Sequence, residues 1–104
     1  MINVKTLKAK APSEELYLQF DYSENLTGNE SIVESIISIS VINGIDSNAS
    51  AMIASSPINA APLVTQKVVG GISKNQYLIE CLATTSDGEK ILTSALLPVI
   101  NNFG

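Results

Sequence analysis

The chain contains no histidine, no tryptophan, no arginine and a single cysteine among its 104 residues. Without histidine, Ser-His and Cys-His catalytic pairs cannot form, and the commonest zinc ligand is missing. Cys81 has no partner for an internal disulfide, which favours a reducing compartment. The net charge of −4 and the lack of arginine argue against nucleic-acid binding, because a phosphate backbone is bound by clustered cations.

The side chains that remain for catalysis are carboxylates. Two neighbouring pairs occur, at Glu14, Glu15, Asp87 and Glu89. Both pairs are typical of strand ends and turns, whereas a glycosidase needs two carboxyl groups that face one cleft. We therefore predict no enzyme activity, no catalytic residue, no metal site and no cofactor.

Long hydrophobic runs are also missing. The first eight residues have no continuous apolar core of the kind that a secretory signal needs. The most apolar stretches, 36–45 and 91–100, have about half the length of a membrane-spanning helix. We expect a soluble protein that carries no targeting label and does not bind a membrane.

Charged residues make up 15% of the chain, against about 25% in a typical globular protein. Lys5, Lys8 and Lys10 lie within the first ten residues, and an acidic stretch follows at 14–34. Two interpretations stay open. The basic segment of one subunit docks on the acidic face of its neighbour and directs a head-to-tail assembly, or both segments are simply solvated.

Alternation of apolar and polar residues with period two dominates the rest of the sequence. It predicts strands at 16–22, 31–42, 63–69, 77–85 and 90–100, separated by turn residues. The aliphatic strand at 31–42 is expected to lie centrally in a sheet, and a short edge strand is expected at 51–54. The dipeptide Asp87-Gly88 predicts a tight hairpin, and Pro98 is expected at a strand end or on an edge.

The predicted strand at 77–85 carries the clearest pattern. Its inward face is formed by Tyr77, Ile79, Cys81 and Ala83. No basic or imidazole group is adjacent to Cys81, so we interpret this cysteine as a small buried hydrophobic residue rather than a reactive thiol.

Six or seven strands without a helical pattern predict an all-β protein, an immunoglobulin-like antiparallel β-sandwich of about seven strands. The paired cysteines and the tryptophan of antibody domains are missing. We divide the chain into an N-terminal arm and first edge segment at 1–13, a β-sandwich domain at 14–100 and a C-terminal tail at 101–104.

A set of short motifs follows in a characteristic order. They are Lys10-Ala11-Pro12, Phe20-Asp21-Tyr22-Ser23, Gly28-Asn29-Glu30-Ser31-Ile32, Asn43-Gly44-Ile45, Val68-Val69-Gly70-Gly71 and Ala83-Thr84-Thr85-Ser86-Asp87-Gly88. In order and spacing they resemble the phage fiber-tail adaptor family over roughly residues 8 to 100. The chain departs from that pattern at Tyr22 and in the aliphatic second strand, where the family often has tryptophan, and at Lys90, where arginine is commoner.

The resemblance implies a non-enzymatic structural protein of a bacteriophage or prophage virion, assembled in the bacterial cytoplasm. It would join tail components at the fiber-tail or head-tail connection, with other phage tail or connector proteins as partners and a homo-oligomeric ring as its assembly. The resemblance brings no catalytic residue.

We expect residues 1–13 and 45–62 to make most of the partner contacts, since exposed segments order on binding or add strands to a neighbour. The candidate aromatic anchors are Tyr17, Tyr22 and Phe103, although core packing is the favoured role of Tyr22. The alternative function is a carbohydrate-binding or adhesin-type β-sandwich module of a bacterial surface protein. That function would require exposed aromatic residues or a calcium site, together with a secretion route.

Overall fold

The computed structural model describes residues 4–26 and 28–101 of the chain. The strands in these ranges are β1 (Val4–Thr6), β2 (Leu16–Asp21), β3 (Ile32–Asn43), β4 (Ile58–Ala60), β5 (Leu63–Val68), β6 (Gln76–Thr85) and β7 (Lys90–Pro98). A short 3₁₀ helix spans Ala49–Met52. Within the described part of the chain, no helix has the length and apolar character needed to cross a membrane.

The strands form a four-stranded sheet with the order β1-β7-β6-β3 and a three-stranded sheet with the order β2-β5-β4. All neighbouring strands are antiparallel except β1, which runs parallel to β7. This arrangement confirms the predicted all-β sandwich of about seven strands.

Alternation along β6 builds the core between the two sheets. Tyr77, Ile79, Cys81 and Ala83 have no exposed surface, whereas the residues between them are partly exposed. Burial of a large aliphatic side chain contributes about 1.5–3 kcal/mol. The interpretation of Cys81 as a buried hydrophobic residue is confirmed, and burial raises the pKa of its thiol.

The hairpin between β6 and β7 is also confirmed, with Gly88 at a φ of 87°. Pro98 is the last residue of β7, as predicted. Strand β3, however, lies at the edge of its sheet, so the prediction of a central position is wrong. An edge strand still buries one face against the core, and Ile39, which pairs with Ile79, is buried on that face. Alternation of aliphatic residues indicates that one face of a strand is buried. It does not indicate how many strands pair with that strand.

The connection after β3 differs from its prediction as well. Residues 49–52 form the 3₁₀ helix, which begins with a hydrogen bond from the Ala51 N–H to the Asn48 carbonyl. Ile53 makes only an isolated bridge with Val68, so the edge strand predicted at 51–54 is wrong. The short edge strand of this region is β4.

The described part of the N-terminal arm is docked along the sandwich. Beyond β1, the Lys10 N–H donates to the Pro98 carbonyl at 2.9 Å, and the Ile100 N–H donates to the Lys10 carbonyl at 2.9 Å. Residues 4–10 therefore extend the edge of the four-stranded sheet.

Candidate protein-binding surface

One end of the sandwich gathers three loops, which together we call the loop end: residues 10–15, 44–53 and 69–75. They meet because β2 and β6 begin at this end while β3 and β5 finish there. The Val69 N–H donates to the Met52 carbonyl at 3.0 Å, which joins two of the loops. The structure thus brings together parts of the two segments predicted to make partner contacts, 1–13 and 45–62.

A buried hydrogen-bond network fixes the backbone of the loop end. The Asn75 amide donates to the Ile45 carbonyl at 3.0 Å and to the Tyr77 hydroxyl at 3.2 Å. The Tyr77 hydroxyl donates to a carboxylate oxygen of Asp46 at 2.8 Å and accepts the Ile72 N–H at 2.9 Å. Burial raises the pKa of Tyr77. Because buried polar groups are satisfied here by one another, the loops hold a defined shape.

Two glycines allow the loops to pack this closely. Gly44 has a φ of 109°, and a Cβ at this position would overlap the side chain of Asn75. At Gly71, where φ is 97°, a Cβ would lie 3.1 Å from Met52 and 3.0 Å from Val99. Both positions therefore require glycine, for conformation and for space.

Lys10 is the buried cation of the loop end. Its side chain has no exposed surface, and its Nζ donates to the Gly70 carbonyl at 2.6 Å and to the Ala11 carbonyl at 2.9 Å. Removal from water lowers the pKa of Lys10, an effect that Glu14 and Glu15 oppose. Lys10 therefore ties the N-terminal segment to the β5–β6 loop, and it does not belong to the exposed basic surface considered from the sequence.

Large aliphatic side chains project from this rigid frame. Ile45 is 87% exposed, and Ile72 and Ile100 are nearly half exposed at 48% and 46%. Their backbones are held by Asn75 and Lys10 through hydrogen bonds. Ile45 and Ile72 belong to the loop end, and Ile100 lies beside it through its hydrogen bond to Lys10. We call this set of three exposed residues the isoleucine patch. Exposed apolar groups on a fixed backbone are typical of protein-binding surfaces.

The sequence analysis missed the isoleucine patch. A usable signal was present, because Ile45 directly follows Gly44 and Ile72 directly follows Gly71. A turn glycine brings the chain to the surface, so a large aliphatic residue beside it is poorly placed for burial.

A cleft lies along one side of the sandwich, between β2 and β7. It is an open cleft of about 340 Å³. Its lining consists of Leu7, Tyr17, Leu18, Gln19, Phe20, Asp21, Thr93, Ser94 and Ala95. β2 is an edge strand of its sheet, so the cleft borders a strand edge. A partner strand or side chain suits such a border, because an exposed strand edge can pair with an extended segment of another protein.

The predicted aromatic anchors fall into three different environments. Tyr17 is 63% exposed at the rim of the cleft, where it is available to a partner. Tyr22 is fully buried, and its hydroxyl donates to the Cys81 carbonyl at 2.9 Å, which confirms its core role. Burial also raises the pKa of Tyr22. Phe103, like residues 1–3, lies outside the described residues.

The predicted carboxylate pairs take part in surface contacts. Glu15 forms a salt bridge with Lys67 at 3.3 Å, and Glu14 accepts the Ala11 N–H at 2.7 Å. A hydrogen bond with Glu30 raises the pKa of Asp87. In residues 4–26 and 28–101, no cluster of three or more metal-ligating side chains is present.

Comparison with known protein families gives a match over most of the chain. A family model described as podophage GP4 fiber-tail adaptor protein gp77 matches residues 10–98. The matched range begins at the buried Lys10 and ends at Pro98, so it includes β2 to β7 and the three loops of the loop end. No curated protein and no solved structure matches the chain.

Proposed function

Since the chain belongs to the podophage GP4 fiber-tail adaptor family, we propose that it joins a fiber to the tail of a bacteriophage through protein–protein contacts. Family membership makes the chain a structural component of a phage virion, and this family is not one of enzymes. The observation that carries the proposal is the match over residues 10–98, which covers nearly the whole sandwich.

An adaptor needs two surfaces that can be occupied together. The isoleucine patch lies at the loop end, and the cleft beside β2, with Tyr17 at its rim, lies along one side. We assign one partner to each surface. The segments 1–13 and 45–62 contribute to both surfaces in this proposal, with Leu7 in the cleft and Ile45, at 87% exposure, in the patch. Tyrosine is enriched among the residues that provide most of the binding energy of protein interfaces, which makes Tyr17 the anchor of the cleft in this proposal.

The proposal extends to assembly. Several copies form a homo-oligomer, as a ring around the tail, after synthesis of the chain in the bacterial cytoplasm by a phage or a prophage. A low content of charged residues, 15%, supports a surface that is largely covered in the virion.

Complementation of a phage that lacks this gene tests the proposal. We expect wild-type protein to restore fibers to purified particles, and a double variant, Ile45→Glu with Ile72→Glu, to enter particles poorly and leave them without fibers. Leu92→Glu, a partly exposed position outside the loop end, is the matched control and should restore fibers. Mass spectrometry of the particles measures fiber content, and melting curves establish that both variants fold. Particles that carry normal fibers without the protein would contradict the proposal.

A further inference from the structure

Lys74 has a backbone conformation that lysine rarely adopts. Its φ is 76°, and among the described residues it is the one non-glycine residue with a positive φ. Lys74 is the third residue of a turn that is closed by a hydrogen bond from the Asn75 N–H to the Ile72 carbonyl at 3.2 Å. Glycine or asparagine usually supplies a positive φ at this place in a turn. The sequence therefore keeps a lysine side chain where another residue would fold with less strain.

The backbone of Lys74 lies next to all three members of the isoleucine patch. Its N–H donates at 2.7 Å to the carbonyl of Val99, the residue directly before Ile100. Ile72 begins the turn that contains Lys74, and the residue after Lys74 donates its side-chain amide to the Ile45 carbonyl. Lys74 is itself exposed. The turn therefore presents one cation beside three exposed aliphatic side chains.

The carboxylates of the loop end are already bonded within the chain. Glu15 pairs with Lys67, and Glu14 accepts a backbone N–H of its own loop. Asp46 accepts a backbone N–H and the buried tyrosine hydroxyl described above. Within the part of the chain that the structure describes, Lys74 forms no salt bridge. An exposed ammonium beside apolar surface is complementary to a partner that supplies a carboxylate.

We propose that Lys74 binds a carboxylate of the protein that covers the isoleucine patch, and that apolar side chains flank this aspartate or glutamate in the partner. The assignment rests on the proposed function, because it names the chemistry of the partner at the loop end. The isoleucines exclude water from the contact, which strengthens the ion pair. The ion pair in turn fixes the orientation in which the partner docks.

The strained turn favours a binding role over a structural one. The Lys74 ammonium has no carboxylate partner among the described residues, and its backbone conformation is unfavourable for a residue with a side chain. Strain of this kind concentrates at functional sites, where it lowers the stability of the free protein and serves an interaction. We therefore expect Lys74 to lower the stability of the free chain and to raise that of the complex.

Binding of the purified protein to phage particles assembled without it tests the proposal. Lys74→Gln removes the charge and keeps the strained backbone. We expect the concentration for half-maximal binding to rise by about tenfold or more, as for the loss of an ion pair at the centre of an interface. Lys90→Gln is the matched control, because it removes the same charge from an exposed position where β7 begins, at the opposite end of the sandwich. It should bind as the wild type does.

Lys74→Gly separates binding from folding. Glycine adopts a positive φ without strain, so this variant should unfold at the same urea concentration as the wild type or at a higher one. It should nevertheless bind as weakly as Lys74→Gln. If both variants lose stability together with binding, the lysine has a structural role and the proposal is overturned. Binding of Lys74→Gln with wild-type affinity, the result expected of a lysine that is merely solvated, also overturns it.

Suppressor selection identifies the carboxylate of the partner. A phage that encodes Lys74→Glu brings two like charges together at the contact and should form few infective particles. Suppressors should replace an aspartate or glutamate of another tail protein by lysine or by a neutral residue. Normal growth of the Lys74→Glu phage, or suppressors confined to the gene of this chain, would count against the ion pair.

The outcome is separable from that of the proposed function. If the wild type restores fibers and Lys74→Gln binds the particles equally well, the ion pair alone is overturned. If particles carry normal fibers without the protein, the fiber-joining role is overturned. A loss of binding by Lys74→Gln in such particles would still support the ion pair, with another tail component as the partner.

Discussion

Substitution of Gly44 by alanine tests the structure of the loop end. Gly44 follows β3 directly and has a φ of 109°, a conformation that side chains disfavour. A methyl group there would overlap the Asn75 side chain. The Asn75 amide would have to leave its bonds to the Ile45 carbonyl and the Tyr77 hydroxyl. We therefore expect the loop to open together with the loss of this network.

The magnitude follows from these contacts. The backbone conformation costs an alanine about 1–2 kcal/mol. Each lost hydrogen bond of Asn75 adds about 0.5–1.5 kcal/mol. The free energy of unfolding should therefore fall by about 2–5 kcal/mol. Gly70→Ala is the matched control, since Gly70 has a φ of 67° and open space around it. Its expected loss is about 1–2 kcal/mol, from the backbone alone.

Urea denaturation measures the free energy of unfolding of both variants. Gly44→Ala should be less stable than Gly70→Ala by about 1–3 kcal/mol. A double-mutant cycle with Asn75→Ala measures the effect of the overlap between the introduced methyl group and the Asn75 side chain. Gly44→Ala should destabilise the protein less when the Asn75 amide has been removed. Equal losses for Gly44→Ala and Gly70→Ala, or an additive cycle, would refute the reasoning.

Two further substitutions test the buried polar groups by denaturation. Tyr22→Phe should lower the free energy of unfolding by about 1 kcal/mol, because it removes the hydrogen bond to the Cys81 carbonyl. Tyr17→Phe, at an exposed site, should change the free energy of unfolding by less than about 0.5 kcal/mol. The raised pKa of Tyr22 means that this stabilisation is complete below pH 10.0, the ordinary pKa of tyrosine, and is lost as pH rises further, so the difference in stability between the wild type and Tyr22→Phe should shrink above pH 10. Lys10→Met should remove a dependence of stability on pH. The lowered pKa of Lys10 makes the folded state bind fewer protons than the unfolded state, so wild-type stability should rise relative to Lys10→Met as pH approaches 10.5, the ordinary pKa of lysine. No pH-dependent difference between the two proteins would contradict this role of Lys10.

The parts of the fold that follow from local pattern could be predicted from the sequence. β6 alternates without interruption, and Asp87-Gly88 supplies the positive φ that its hairpin needs. The core position of Tyr22 also followed, because this residue continues the buried face of β2. In each case the deciding interaction is between neighbours in sequence or on one strand face.

The remaining features depend on contacts between distant segments. β3 has one neighbouring strand because β4, which lies near it, pairs with β5 instead, and the alternation along β3 indicates only that one of its faces is buried. Lys10 is buried because the carbonyl of Gly70, sixty residues away, accepts its Nζ. The 3₁₀ helix at Ala49–Met52 forms where Met52 packs into the core, and short apolar runs do not distinguish such a turn from a strand.

A cryo-electron microscopy map of the tail of the phage that encodes this chain tests the account most directly. We predict density for the seven-stranded sandwich between a fiber and the tail, with the isoleucine patch covered by one partner. A map in which the protein is absent from that junction, or in which the isoleucine patch faces solvent, would contradict it.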